Sequence, residues 1–171
     1  MSEPSAPPLI ERLLAANRRY VAASPGLPDS PVPSERLVIV TCMDVRIDPL
    51  PLLGLRLGSA HVLRNAGARV TDDVIRSLVI SQQVLGTEAV LLLPHTGCGM
   101  LGLDPGSLQP RPGVSKGDLP PLEVHPMHDL QTSLAQDLET LRESPWISPH
   151  VQIYGLILDI GTGSLIAPLT S

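Results

Sequence analysis

A chain of 171 residues and 18.2 kDa is about one domain's worth of protein, large enough to bury a core without disulfide staples. Its net charge of −5 and pI near 5.4 oppose the basic face that nucleic-acid binding needs, so no nucleic-acid partner is expected. Only 17% of residues are charged, below the ~25% of ordinary soluble domains, which predicts surface covered by oligomerisation. No apolar run reaches the ~18 residues of a membrane helix, so no membrane contact is expected. Met1-Ser2-Glu3 begins no basic-then-apolar leader, and the expected compartment is the cytoplasm. With no Phe, one Trp and two Tyr, the core and any pocket must be aliphatic.

Leu9, Ile10, Leu13, Leu14 and Val21 mark one face of a helix that should end before Ser24-Pro25-Gly26, giving a helical arm over residues 1–24. A Pro-rich connector follows, then Leu37-Val38-Ile39-Val40-Thr41, a β-branched apolar run of the kind buried in parallel sheets. Residues 47–57 read as a short helix with Pro49 and Pro51 in its first turn. His61-Val62-Leu63 reads as a second strand. Thr71 is placed to cap a helix, with Asp72 and Asp73 favourable to its dipole. Val74, Ile75, Leu78, Val79 and Leu85 carry that helix's apolar face, and Gly86 should end it. Residues 89–93 form a third buried strand. Residues 103–126, rich in Pro and Gly and without a period, read as a loop. Met127, Leu130, Leu134, Leu138 and Leu141 restore helical spacing. Residues 152–158 and 164–169 read as strands around the turn Gly161-Thr162-Gly163. The alternation predicts a single α/β domain over 1–171, with a mostly parallel central sheet flanked by helices. The final pair must be antiparallel, because its connection is too short for a crossover.

The two cysteines both fall at the C-terminal ends of predicted parallel strands, where open α/β sheets bind ligands. One segment reads Cys42-Met43-Asp44-Val45-Arg46 and the other His95-Thr96-Gly97-Cys98-Gly99. A His and a Cys three apart can face one ion across a tight turn, and Cys42 would complete a Cys2His set of the kind used by catalytic zinc. Free cysteines also serve as small buried hydrophobes. Spacing alone therefore leaves open a metal site, a thiol pair and inert core cysteines. His61 reads as a packed or capping residue; His125, His128 and His150 read as solvated. Gly161-Thr162-Gly163 is a hairpin turn, since no helix follows to make it a phosphate loop.

These segments together resemble the β-class carbonic anhydrases, in particular their short bacterial members. The likeness runs through His61-Val62-Leu63-Arg64-Asn65-Ala66-Gly67 and Thr71-Asp72-Asp73-Val74-Ile75-Arg76-Ser77-Leu78. It resumes in Gly155-Leu156-Ile157-Leu158-Asp159 with Thr162-Gly163. The resemblance implies one Zn2+ per chain on Cys42, His95 and Cys98, and assembly as a homodimer or larger. It implies that Asp44 is either a fourth ligand, closing the site, or pairs with Arg46 and leaves that position to water. It implies reversible hydration of carbon dioxide to bicarbonate and a proton, by zinc-bound hydroxide oriented by the Asp44–Arg46 pair. Asn65, Ala66, Gly67 and Gly99 would lie along the substrate cleft. Against the family pattern, Gly97 stands where an acid is common and Ala68 where a second glycine is common. The segment 103–126 looks shorter and richer in proline than the pattern, which bears on access. Two readings keep the zinc and change the role: a carbonyl sulfide or carbon disulfide hydrolase on the same fold, and a catalytically silent zinc-binding regulatory protein. A cytosolic thiol-redox protein using Cys42 and Cys98 is a further alternative.

Overall fold

Residues 37–42 run through the middle of the sheet because nothing in Leu-Val-Ile-Val-Thr-Cys needs water. In the computed structural model, which describes residues 8–24 and 26–167, this strand, β1 (Leu37–Cys42), is buried from Val38 onward. Its one hydroxyl, on Thr41, donates to the Leu93 carbonyl at 2.8 Å. β1 pairs in parallel with β2 (Ala60–Asn65) on one side and β3 (Ala89–Leu93) on the other, and β4 (Gln152–Gly155) extends the sheet beyond β3. The order β2-β1-β3-β4 is that of a parallel α/β sheet with crossover connections.

The two faces of this sheet are covered differently. On one, Val38, Val40, Val90 and Leu92 meet Val74 and Leu78 of α3 (Asp72–Gln83) and Leu134, Leu138 and Leu141 of α4 (Leu130–Glu143). On the other, Ile39, Leu91 and Leu93 pack with Ile47, Met100, Met127, Leu158 and both cysteines. Two full helices thus guard the first face. Among the described residues, the second is covered by the single-turn α2 (Pro49–Leu52), the C-terminal chain at Leu158 and irregular chain. Beneath α4, the buried Asp137 carboxylate takes two bonds from Arg69, at 2.7 and 3.2 Å. The same guanidinium donates to the carbonyls of His125 and Pro126, so the returning end of the 103–126 segment is tied to the helix.

α1 (Leu9–Ala23) forms on the expected residues. It belongs to a separate compact unit, Met1–Ser30, while Pro31–Ser171 forms the α/β unit. None of α1's residues is buried. No helix among the described residues is long and apolar enough to cross a membrane.

Several boundaries differ from the sequence reading, each for a local reason. The helix expected over 47–57 is a single turn, because Asp48 is extended ahead of it and Gly54 turns left-handed at φ +70°. β2 extends beyond 61–63 to pair along the whole of β1, from Leu37 opposite Ala60 to Cys42 opposite Asn65. α3 starts where Thr71 Oγ1 accepts from Val74 N–H, as expected, but ends at Gln83; Gly86 closes the following turn at φ +70°. Met127 lies outside α4, which Asp129 caps by accepting from Thr132 N–H at 2.6 Å; Met127 instead bridges to the segment at Met100 and Leu101. The stretch 152–158 divides into β4, in the central sheet, and β5 (Ile157–Leu158), antiparallel to β6 (Leu165–Ile166) in a sheet of their own. Leu169, placed in the last strand from sequence, lies outside the described residues. Residues 103–126 form a loop with two short 3-10 turns.

Candidate metal centre

Adjacent parallel strands deliver the first and second halves of the site to one end of the sheet. Cys42 closes β1, and β3 runs out through Pro94 into His95, Thr96, Gly97 and Cys98. Gly97 sits at φ +62°, a left-handed turn residue that brings Cys98 back toward the strand ends. An acid at this position would carry the steric cost of a left-handed backbone, which glycine avoids. Ala68 takes φ +59°, accepting about 1 kcal/mol of strain that a glycine would spare.

The donor atoms of Cys42, His95 and Cys98 all lie within 4.8 Å of one another, and all three residues are buried. Two sulfurs bound tetrahedrally at ~2.3 Å from one zinc stand ~3.8 Å apart. Cys42 Sγ and Cys98 Sγ are 3.8 Å apart. His95 Nδ1 lies 2.9 Å from the Thr96 carbonyl, which can only accept, so the proton is on Nδ1 and the lone pair on Nε2. That Nε2 is buried with no hydrogen-bond partner among the described residues. An unpaired buried acceptor is costly, and a cation held by this nitrogen and the two sulfurs would remove the cost. Burial pushes the Cys98 thiol up, opposed by a bond from the Met100 N–H; proximity to Cys42 and Asp44 pushes the same way as burial. Soft, mutually repelling donors with one imidazole suit zinc.

Asp44 is held to Arg46 by three bonds. Arg46 Nε and its own N–H donate to Oδ1 at 2.9 and 3.0 Å, and a terminal nitrogen donates to Oδ2 at 2.6 Å. The guanidinium, then the backbone N–H, keep this carboxyl far below the usual carboxylate range. Oδ2 is 3.8 Å from His95 Nε2, so the paired carboxylate lies beside the three donors. Sequence reasoning gave Arg64 no individual role. Its Nε donates to the Cys42 carbonyl at 3.0 Å and a terminal nitrogen to the Asp44 carbonyl at 2.6 Å, clamping the Cys42–Met43 and Asp44–Val45 peptides.

The four expected cleft residues do not share one wall. Asn65 spends its amide on Arg69, accepting from that residue's N–H and donating to its carbonyl. It lines, with Ala66, Arg64 and Thr71, a cavity of about 400 Å3 whose lining includes none of the three donors. Gly67 is a packing residue at φ +84°; a Cβ there would come 3.1 Å from Met100 Cγ and 3.2 Å from Met127 Cε. Gly67→Ala should therefore cost about 2 kcal/mol, seen as a lowered urea midpoint; an unchanged midpoint would mean the methionines move aside freely. Gly99 is exposed and open on its side-chain face. His61 is a packed residue, bonding Ser81 Oγ and the Pro31 carbonyl. His128 and His150 are exposed as expected, but His125 is half-buried, 3.7 Å from Glu123.

Comparison with known proteins places this geometry. Residues 37–165 match the family model described as carbonic anhydrase. The chain is 40% identical over 152 residues to beta-carbonic anhydrase 1 of Mycobacterium tuberculosis, covering 89% of this chain and 93% of that protein. It is 34% identical to a carbon disulfide hydrolase of Acidithiobacillus thiooxidans, covering 84% and 80% respectively. In structure it superposes on the carbonic anhydrase of Streptococcus mutans with a TM-score of 0.85 at 39% identity, over 96% of this chain and 99% of that one. Carbonic anhydrases are zinc lyases, and Cys42, His95 and Cys98 are a group that could bind one such ion. By sequence match, sheet order and donor set alike, the chain belongs to the β-class carbonic anhydrases.

Proposed function

We propose that the protein catalyses the reversible hydration of carbon dioxide to bicarbonate and a proton. The observation that carries this reading is the Asp44–Arg46 pair standing beside the Cys42–His95–Cys98 donor set. A zinc held by those donors would lower the pKa of a coordinated water toward ~7 and so supply a nucleophile at neutral pH. The remaining work belongs to the chain. Arg46 holds Asp44 ionised and acceptor-only, so the carboxylate takes a proton-bearing partner in one orientation. Arg64 fixes the peptide that carries Asp44. A purely structural or regulatory zinc site has no need of this pair.

A second reading, hydrolysis of carbon disulfide or carbonyl sulfide, is favoured by the similarity to carbon disulfide hydrolases. Stopped-flow CO2 hydration beside hydrogen sulfide release from carbon disulfide separates them. CO2 hydration above the buffer rate supports the first; sulfide release without CO2 hydration replaces it with the second. Neither activity from zinc-loaded protein leaves a silent zinc-binding protein.

The acting form is a homodimer or larger. Leu9, Ile10, Leu13, Leu14 and Val21 of α1 are each more than half exposed, a contiguous apolar stripe that a second copy would cover. Removing residues 1–24 should leave monomers or aggregates by light scattering; a soluble, active monomer refutes it. Two cysteines that must stay reduced to hold metal suit the cytoplasm.

A further inference from the structure

We propose that Thr96 is a positioning residue for His95 and that the C-terminal hairpin, β5–β6, is the brace it acts through. The inference rests on the reading of His95 as a metal ligand and adds what aims it. His95 is oriented by its own neighbour, donating from Nδ1 to the Thr96 carbonyl. The plane of that carbonyl depends on Gly97, the softest backbone in the turn. Left alone, the peptide could swivel and take the imidazole with it.

Three bonds from outside the turn prevent this. The Leu158 N–H donates to the Pro94 carbonyl at 2.9 Å, and the Thr96 N–H donates to the Leu158 carbonyl at 2.9 Å. The Ile160 N–H donates to Thr96 Oγ1 at 3.0 Å. The first two form a one-residue parallel bridge between His95 and Leu158; the third needs the hydroxyl. The hairpin can act as a brace because its tip is held independently. Asp159 Oδ1 accepts from Gly161 N–H, Thr162 N–H and Thr162 Oγ1 at 2.8 to 3.0 Å. The backbone of Asp159 also exchanges bonds with Gly163 and Ser164. Ile160, between this knot and the Leu158 bridge, is therefore presented to Thr96 in one orientation. Partners that orient a metal-binding histidine are worth ~10–100-fold in metal affinity.

The test is zinc affinity of the full-length protein, by competition with a chromophoric chelator, in Thr96→Val, Thr96→Ser and Asp159→Ala. Valine keeps the shape and removes the hydroxyl, so zinc should bind ~10–100-fold more weakly. Serine keeps the hydroxyl and should bind within about threefold of the parent. A Thr96→Val protein with parental affinity overturns the proposal, and so does equal weakening by valine and serine. Should Thr96→Val fail to fold, Asp159→Ala decides: weaker zinc binding supports the brace, parental affinity rejects it. A parent protein that binds no zinc would instead overturn the assignment of His95 as a ligand.

Discussion

Cys98→Ser will lose its zinc and much of its stability together. The side chain lies in a buried cluster with Cys42, Ile39, Leu93 and Met100, and its sulfur is one of two soft donors 3.8 Å apart. A serine hydroxyl does not ionise at working pH and is a poor zinc donor. Structural zinc contributes an apparent ~10–16 kcal/mol in small domains, comparable with the whole ~5–15 kcal/mol stability of a folded domain. Cys42→Ser should behave alike, since it removes the other sulfur from the end of the central strand. Elemental analysis should find about one zinc per parent chain and little in either variant. Both variants should unfold at markedly lower temperature, and chelation should bring the parent down toward them. A Cys98→Ser protein with full zinc content would remove Cys98 from the ligand set.

Arg46→Ala and Asp44→Ala should both lose activity by about 10²-fold or more, for opposite reasons. Without Arg46, Asp44 loses two side-chain bonds that hold it aside. Its carboxylate, already 3.8 Å from His95 Nε2, would then be free to turn toward a zinc held by the three donors and take its fourth position. Without Asp44 that position stays open, but nothing orients what occupies it. The variants should therefore match in rate and differ in azide affinity, with Asp44→Ala the tighter. Equal azide affinity would mean that Asp44 is not a gate. In the parent, the hydrogen bonds from Arg46 hold Asp44 ionised well below the ordinary carboxylate range. A depressed carboxyl is lost only as pH falls through its folded value, so Asp44 contributes no inflection near neutrality. A zinc held by the three donors would bring the pKa of its water to ~7, so activity should rise through neutral pH. An Asp44-dependent inflection between pH 5 and 8 would contradict the pairing.

The fold class was legible along the chain because it rests on local pattern; a shared metal site for Cys42, His95 and Cys98 was one of three readings that spacing left open, and the family resemblance selected it. Val38 to Val40 and Val90 to Leu92 are too apolar to sit anywhere but inside a sheet. The only two cysteines come at or just past the ends of those runs, so α/β topology carries them to the same end of the sheet. α2 is one turn although apolar spacing persists past Pro51, because Gly54 turns left-handed and closes the helix there. Met127 fits the α4 period, yet it bonds to Met100 because Asp129 caps the helix after it.

What the sequence determined by itself was the chemistry available at the site: two thiols, one imidazole, a carboxylate and a guanidinium two residues apart. Only the tertiary structure decided how they are held. The Asn65 amide turns to Arg69, Gly67 packs under two methionines, Arg64 clamps the carbonyls beside Asp44, and Thr96 leans on a hairpin more than sixty residues away. Hydrogen bonds from a side chain to a distant backbone group leave no period and no spacing in the sequence. They exist only once parallel strands and the returning C-terminal chain have brought those peptides within reach.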